Sequence, residues 1–374
     1  MTVRKDHGQW VDIHDYSPDV GVDPATNDAA FAWAMDCNPT WAISLRPDTD
    51  YAITKPVDMR GRTGKHLIGR SSLTTIIRQT TAGEPVIRMG DTRKQRVQGV
   101  GLFGNGVSGY GIEFHGNSSY NTVSDISTFN TEGGISIEGA QWFSNTLEDI
   151  QIGQYTDWGL RLNGNPAGDG ALGTGNRFDN VYINAAAETV EGGVWLKRFT
   201  ENSFNQLNIE NMTTADYPLR IEESSAQTFQ STHFELVNHP EGSAHIGLFG
   251  FDVSQAEFSG LRFDRSTPPT GTVFNLGRSA QANVETVSFA RGFEPTGPYH
   301  IVEGIPDGFG AQPTIHIEDW DDPGGNITPT VQPGTTPRQV IREFNDEWDS
   351  LVAPNGTVYR IEVDNAGALQ TTAV

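Results

Sequence analysis

One short pattern returns along this chain and constrains its fold more than any other feature. It reads asparagine, any residue, an apolar residue, two polar residues, an apolar residue, a polar residue and again an apolar one. The copies are Asn121-Thr-Val-Ser-Asp-Ile-Ser-Thr, Asn145-Thr-Leu-Glu-Asp-Ile-Gln-Ile, Asn176-Arg-Phe-Asp-Asn-Val-Tyr-Ile and Asn202-Ser-Phe-Asn-Gln-Leu-Asn-Ile. They start 24, 31 and 26 residues apart. Weaker copies begin at Gln227, Ala256 and Ala282, and a first one at Gln95. A second pattern alternates with it, a glycine or proline followed by period-two alternation. It runs through Gly111-Ile-Glu-Phe-His, Gly134-Ile-Ser-Ile-Glu, Gly159-Leu-Arg-Leu-Asn, Gly193-Val-Trp-Leu-Lys, Pro218-Leu-Arg-Ile-Glu and Gly271-Thr-Val-Phe-Asn-Leu, and ends at Pro313-Thr-Ile-His-Ile-Glu.

Period-two alternation gives strands with one apolar face. One such coil cannot bury that face, but stacked coils bury it against one another. The expected fold is therefore all-β, a right-handed single-stranded parallel β-helix with coils about 4.8 Å apart. Asparagine and glycine at the corners supply the positive φ of sharp turns, and the recurring asparagine forms a side-chain ladder along the axis. Leucine-rich repeats and propellers need other repeat lengths and strand counts. The organisation predicted is a capping module over 1–65, the solenoid over 66–320, a Pro/Gly/Thr-rich linker over 321–337, and a helix plus β-hairpin over 338–374. In the last part Val340, Ile341, Phe344, Trp348 and Leu351 share a helical face, and 357–363 with 368–372 read as the hairpin. So small a module is expected to dock on a neighbouring chain or on the solenoid.

The first 65 residues contain a strand at Val11–Tyr16, then a helix over Asp28–Met35 with Asn27 as its cap and Phe31, Ala34 and Met35 on one face. A strand around Pro47-Asp-Thr-Asp-Tyr and the apolar turn Leu67-Ile-Gly follow. This order resembles the N-terminal module of pectate-lyase-like β-helices, above all those of viral tailspikes. The resemblance covers about residues 10–320 and speaks to fold more than to chemistry, because that fold carries lyases, hydrolases and inert adhesins alike. It implies a virion protein on a tail or capsid surface that contacts other virion proteins and forms a homotrimer. A five-fold assembly at a capsid vertex is the alternative.

Charge narrows the partners. Acidic residues outnumber basic ones 47 to 25, a net charge of −22. Nucleic acid is disfavoured, since phosphate binding needs a cationic footprint. Lysine occurs only at positions 5, 55, 65, 94 and 197. An acidic, lysine-poor surface resembles proteins of salt-loving organisms, where salt screens self-repulsion. The apolar runs are too short for membrane insertion, and Met1–Gln9 lacks the apolar stretch of a secretory signal. Cys37 is the single cysteine, which excludes an internal disulfide; it reads as a small packed residue rather than a reactive thiol.

Candidate chemistry lies on outward strand positions, which stack into columns. One column runs through Glu113, Ser136, Arg161, Trp195 and Arg220. A second holds His115, Glu138, Asn163, Lys197 and Glu222. A third holds Ser127, Gln151, Tyr182, Asn208, His233 and Arg262. Aromatic rings beside arginine and polar groups are how proteins hold sugars, so Trp195, Arg161, Arg220, Tyr182, His233 and Arg262 are the glycan-binding candidates. The bland alternative for each is a solvated face. Glycoside hydrolysis needs two carboxyl groups. Glu113 with Glu138 is one conceivable pair; Asp125 with Asp149 is another, stacked closely enough to need hydrogen bonds or a structural cation. Polygalacturonase- and pectate-lyase-type signatures are missing, as are zinc spacings, so no metal or cofactor is expected. Three readings remain: an adhesin for host-surface glycans, a polysaccharide depolymerase (hydrolase or lyase), and a purely structural virion component.

Overall fold

The computed structural model describes residues 10–37, 42–164, 173–186, 188–249, 255–277, 280–290, 292–304, 314–322 and 327–331, and strands at 338–342, 349–352, 358–363 and 369–373. The chain divides into two compact units, 1–188 and 189–374. Each is a stack of parallel β coils. No described helix is long and apolar enough to cross a membrane. The signal-sequence reading at Met1–Gln9 and most of the linker lie outside the described residues; within the expected linker, Thr328–Val331 is instead a strand that pairs in parallel with Tyr299–Gly304.

In the first unit the asparagine-led segments form strands Arg96–Phe103, Thr122–Phe129, Thr146–Gly153 and Arg177–Asn184. They stack in parallel with each repeat in register. Val97, Val123, Leu147 and Phe178 thus form one buried column, and Val100, Ile126, Ile150 and Val181 another. The glycine-led strands stack likewise, and bring Ile87, Ile112, Ile135 and Leu160 together. Each such side chain contributes roughly 1.5–3 kcal/mol on burial. At Gly134 an added Cβ would lie 2.6 Å from the carbonyl oxygen of Gly159 on the next coil, so only glycine lets the coils close there.

The ladder expected from sequence is present. Asn121, Asn145 and Asn176 are buried. Their Oδ1 atoms accept from the backbone N–H of Gln95, Asn121 and Asn145, at 2.8, 2.9 and 2.9 Å. A second column marks the bend within each strand. Gly99, Asp125, Asp149 and Asn180 have φ of 66, 50, 53 and 49°, the left-handed region that Asp, Asn and Gly tolerate best.

The parallel ladder begins upstream of His66: Trp10–Asp12 pairs with Ala42–Ser44, which pairs with His66–Ile68. The expected strand at Val11–Tyr16 turns into a short 3-10 helix at Ile13–Asp15. The helix itself spans Pro24–Asp36, and its cap is Asp23, not Asn27. Asp23 accepts from Thr26 N–H at 3.0 Å, and Pro24 presets the first turn. Asn27 instead points inward, accepting from Gly21 N–H and donating to the Ala52 carbonyl. Phe31, Ala34 and Met35 do form the buried face, with Phe31 edge-on to Tyr51 at 5.9 Å.

In the second unit the asparagine-led strands lengthen to Ser203–Thr214 and Gln227–Asn238, followed by Gln255–Asp264, Gln281–Phe289 and Thr314–Asp321. Stacked phenylalanines fill the core: Phe204, Phe229 and Phe258 at 4.7 and 4.9 Å, and Phe234, Phe263 and Phe289 at 5.0 and 5.1 Å. A buried polar knot sits among them. The Tyr299 hydroxyl donates to the Thr272 carbonyl at 2.7 Å and lies 2.7 Å from His239 Nε2 and 2.6 Å from His245 Nδ1.

The helix expected over Arg338–Leu351 is a correction. Arg338–Arg342 is a strand that continues the parallel stack on Thr314–Ile317, and it pairs antiparallel with Asp349–Val352. The β-branched pair Val340-Ile341 suits a strand better than a helix. Residues 343–348 lie outside the described set. The expected hairpin is present as Val358–Val363 against Leu369–Ala373.

Candidate functional site

Two left-handed columns cross the long strands of the second unit. Gln206, Ser231 and Gly260 have φ of 58, 55 and 92°; Asn211, Leu236 and Arg265 have 52, 53 and 46°. Between the two bends each strand has four residues. Leu207 and Ile209, Thr232 and Phe234, and Leu261 and Phe263 face inward and are buried. The alternate positions face out, and register places them in two columns. One is Asn208, His233, Arg262 and Ser288; the other is Glu210, Glu235 and Asp264.

The first of these columns lines a cavity of about 500 Å³, together with Gln206, Ser231 and Thr286. Its rim is charged. His233 Nε2 lies 2.9 Å from Asp264 Oδ2, which also accepts from Arg262 Nε at 2.7 Å. Arg265 pairs with Glu235. Donor atoms of Glu210, His233 and Glu235 all lie within 4.8 Å of one another. Of the glycan-binding candidates, His233 and Arg262 are thus brought together on one groove. The three carboxylates were not singled out from sequence, although each stands two residues after a member of the predicted column.

Trp195 and Arg220 also meet, as register partners on the other sheet of the second unit. The Arg220 guanidinium lies 6.0 Å from the Trp195 ring and 5.6 Å from the Phe249 ring. Asp216 and Glu222 pair with Arg220, and Lys197 reaches Glu222 at 3.0 Å. This is an aromatic and charged platform rather than a cleft.

Arg161 and Tyr182 belong to the first unit. Arg161 reaches Glu138 at 2.8 Å and Asp157 at 3.1 Å. Tyr182 accepts from Asn184 Nδ2 at 2.8 Å through its hydroxyl. Glu113 is engaged by His115 at 3.0 Å and Arg88 at 3.8 Å, so Glu113 and Glu138 are each held by cations. A carboxyl that sequence reasoning passed over, Glu132, stands nearby; burial, then Asp157 and Glu113, push its pKa up. Asp125 and Asp149 occupy the left-handed bends. Asp125 accepts from Ser72 Oγ at 2.8 Å and Asp149 from Asn180 Nδ2 at 2.7 Å, so hydrogen bonds meet the repulsion expected of them. Cys37 is half-buried at the helix C-terminus, and burial raises its pKa, which keeps it a thiol.

No protein-family model matches the sequence, and no curated protein matches it. Solved structures do match in fold. The gp42 tailspike of Acinetobacter phage vb_AbaP_AS12 aligns with a TM-score of 0.64 at 11% identity, over 99% of this chain and 67% of that one. The enzymatically active domain of bacteriophage CBA120 tailspike protein 2 aligns at 0.56 and 10% identity, over 90% and 57%. The catalytic domain of a GH87 alpha-1,3-glucanase in complex with nigerose aligns at 0.52 and 12% identity, over 89% and 69%. At such identities the likeness is one of fold, the parallel β-solenoid that these proteins share with this chain.

Proposed function

We propose that this chain is a virion surface protein of the tailspike type that binds a host-surface glycan in the groove of its second unit. One observation carries the reading. Asn208, His233, Arg262 and Ser288 come from four successive coils, stand in one register column and line one cavity, beside a column of carboxylates. A row of hydrogen-bonding side chains at coil spacing suits the hydroxyls of an extended saccharide. Tailspikes among the structural neighbours support the same reading. In it the protein acts as a homotrimer on a virion tail, and the acidic, lysine-poor surface points to a salt-loving host. Surface plasmon resonance against host envelope polysaccharide tests it: His233→Ala and Arg262→Ala are each expected to weaken binding about tenfold, the weight of one good polar contact.

A second reading, depolymerisation, is favoured by the Glu210–Glu235 pair. Their carboxylates stand within 4.8 Å, close to the roughly 5–5.5 Å of retaining glycosidases. New reducing ends from incubated polysaccharide, lost in Glu210→Gln and Glu235→Gln, would favour it over adhesion alone.

A further inference from the structure

We propose that Glu210, His233 and Glu235 hold one divalent transition-metal ion of the zinc class, a proposal that stands whether or not the groove takes a sugar. His233 and Glu235 are outward neighbours on one strand, and Glu210 is the register partner of Glu235 on the coil before. All three side chains are half-buried, and their donor atoms lie within 4.8 Å of one another. Zinc takes its donors at roughly 2.0–2.2 Å, so the two glutamate side chains would have to rotate to close on the ion.

The donor set selects the ion. One imidazole with two carboxylates suits zinc or manganese, whereas calcium gathers six to eight oxygens. Three protein ligands leave a position for water. Asp264 supplies the support a ligating histidine needs: it lies 2.9 Å from His233 Nε2. In the tautomer that donates Nε2–H to Asp264, Nδ1 is the nitrogen left for the ion, the arrangement in which a carboxylate orients a metal-bound histidine. Cations compete for the carboxylates among the described residues. Arg265 pairs with Glu235 and Arg262 with Asp264, but their side chains are 66% and 61% exposed and have solvent to move into.

Isothermal titration of the chelator-stripped full chain with zinc chloride tests this. One saturable site per chain is expected. His233→Ala and Glu210→Gln should weaken it at least tenfold, while Arg265→Ala, which removes the competing cation, should tighten it. Cobalt(II) should give a visible absorption band that zinc abolishes, and the variants should keep the parent far-ultraviolet circular dichroism, since all three ligands face outward. Absence of saturable zinc uptake by the folded chain would overturn the proposal. So would zinc affinity unchanged in both ligand variants, or a calcium site of equal strength that ignores His233.

Discussion

At the scale of single residues, the repeat is held by side chains that stand in for backbone. Asn145 accepts from Asn121 N–H and donates to the Ser118 carbonyl and to Asn176 Oδ1, all in the interior. Truncating it orphans a buried N–H, which costs on the order of 2–3 kcal/mol. Asn145→Ala should therefore lower the urea midpoint well beyond an exposed control such as Glu148→Ala; equal midpoints would contradict the ladder's role. This ladder was legible in the sequence, because asparagine recurs at one offset in every strong copy. Asp125 and Asp149 were harder to read. A stacked acid looks like chemistry until φ is known, and a left-handed bend wants Asp, Asn or Gly for conformational reasons. Asn27 misled for a related reason: it is a good capping residue, yet Asp23-Pro24 offered a better start and freed its amide for the interior.

At the scale of elements, the second unit buries two histidines around Tyr299. Burial pushes the pKa of His239 down to about 4 and that of His245 well below its ordinary value. Protons therefore bind the unfolded chain first as pH falls. For a group lowered from 6.5 to about 4, stability is complete above pH 6.5 and is lost progressively down to about pH 4, by roughly 3 kcal/mol for His239. Urea unfolding at pH 7 and pH 5.5 should expose the onset before most carboxylates titrate. His239→Gln should reduce the slope and leave the part that His245 contributes; an unchanged slope would contradict this assignment. The C-terminal element shows where periodicity fails. Val340, Ile341 and Phe344 satisfy a helical spacing, but an exposed parallel edge at Thr314–Ile317 recruits Arg338–Arg342 as a further strand. A window of sequence carries no trace of that distant edge.

For the molecule as a whole, the fold could be read in advance because it is one motif repeated, and repetition averages out local ambiguity. The site was only half legible. His233 and Arg262 fell in a predicted column, but Glu210, Glu235 and Asp264 gained significance only when register set them side by side. The net charge of −22 is a property of the whole chain. Its self-repulsion should relax as salt rises, so the melting temperature should climb between 0.1 and 2 M sodium chloride; a flat or falling curve would contradict the salt-adapted reading. Saccharide binding in the groove of the second unit would join the register column to the fold. Titration of host envelope polysaccharide into the folded chain and into His233→Ala measures it. The expected result is saturable binding, weakened about tenfold in the variant. Absence of binding, or binding that the variant leaves unchanged, would contradict it.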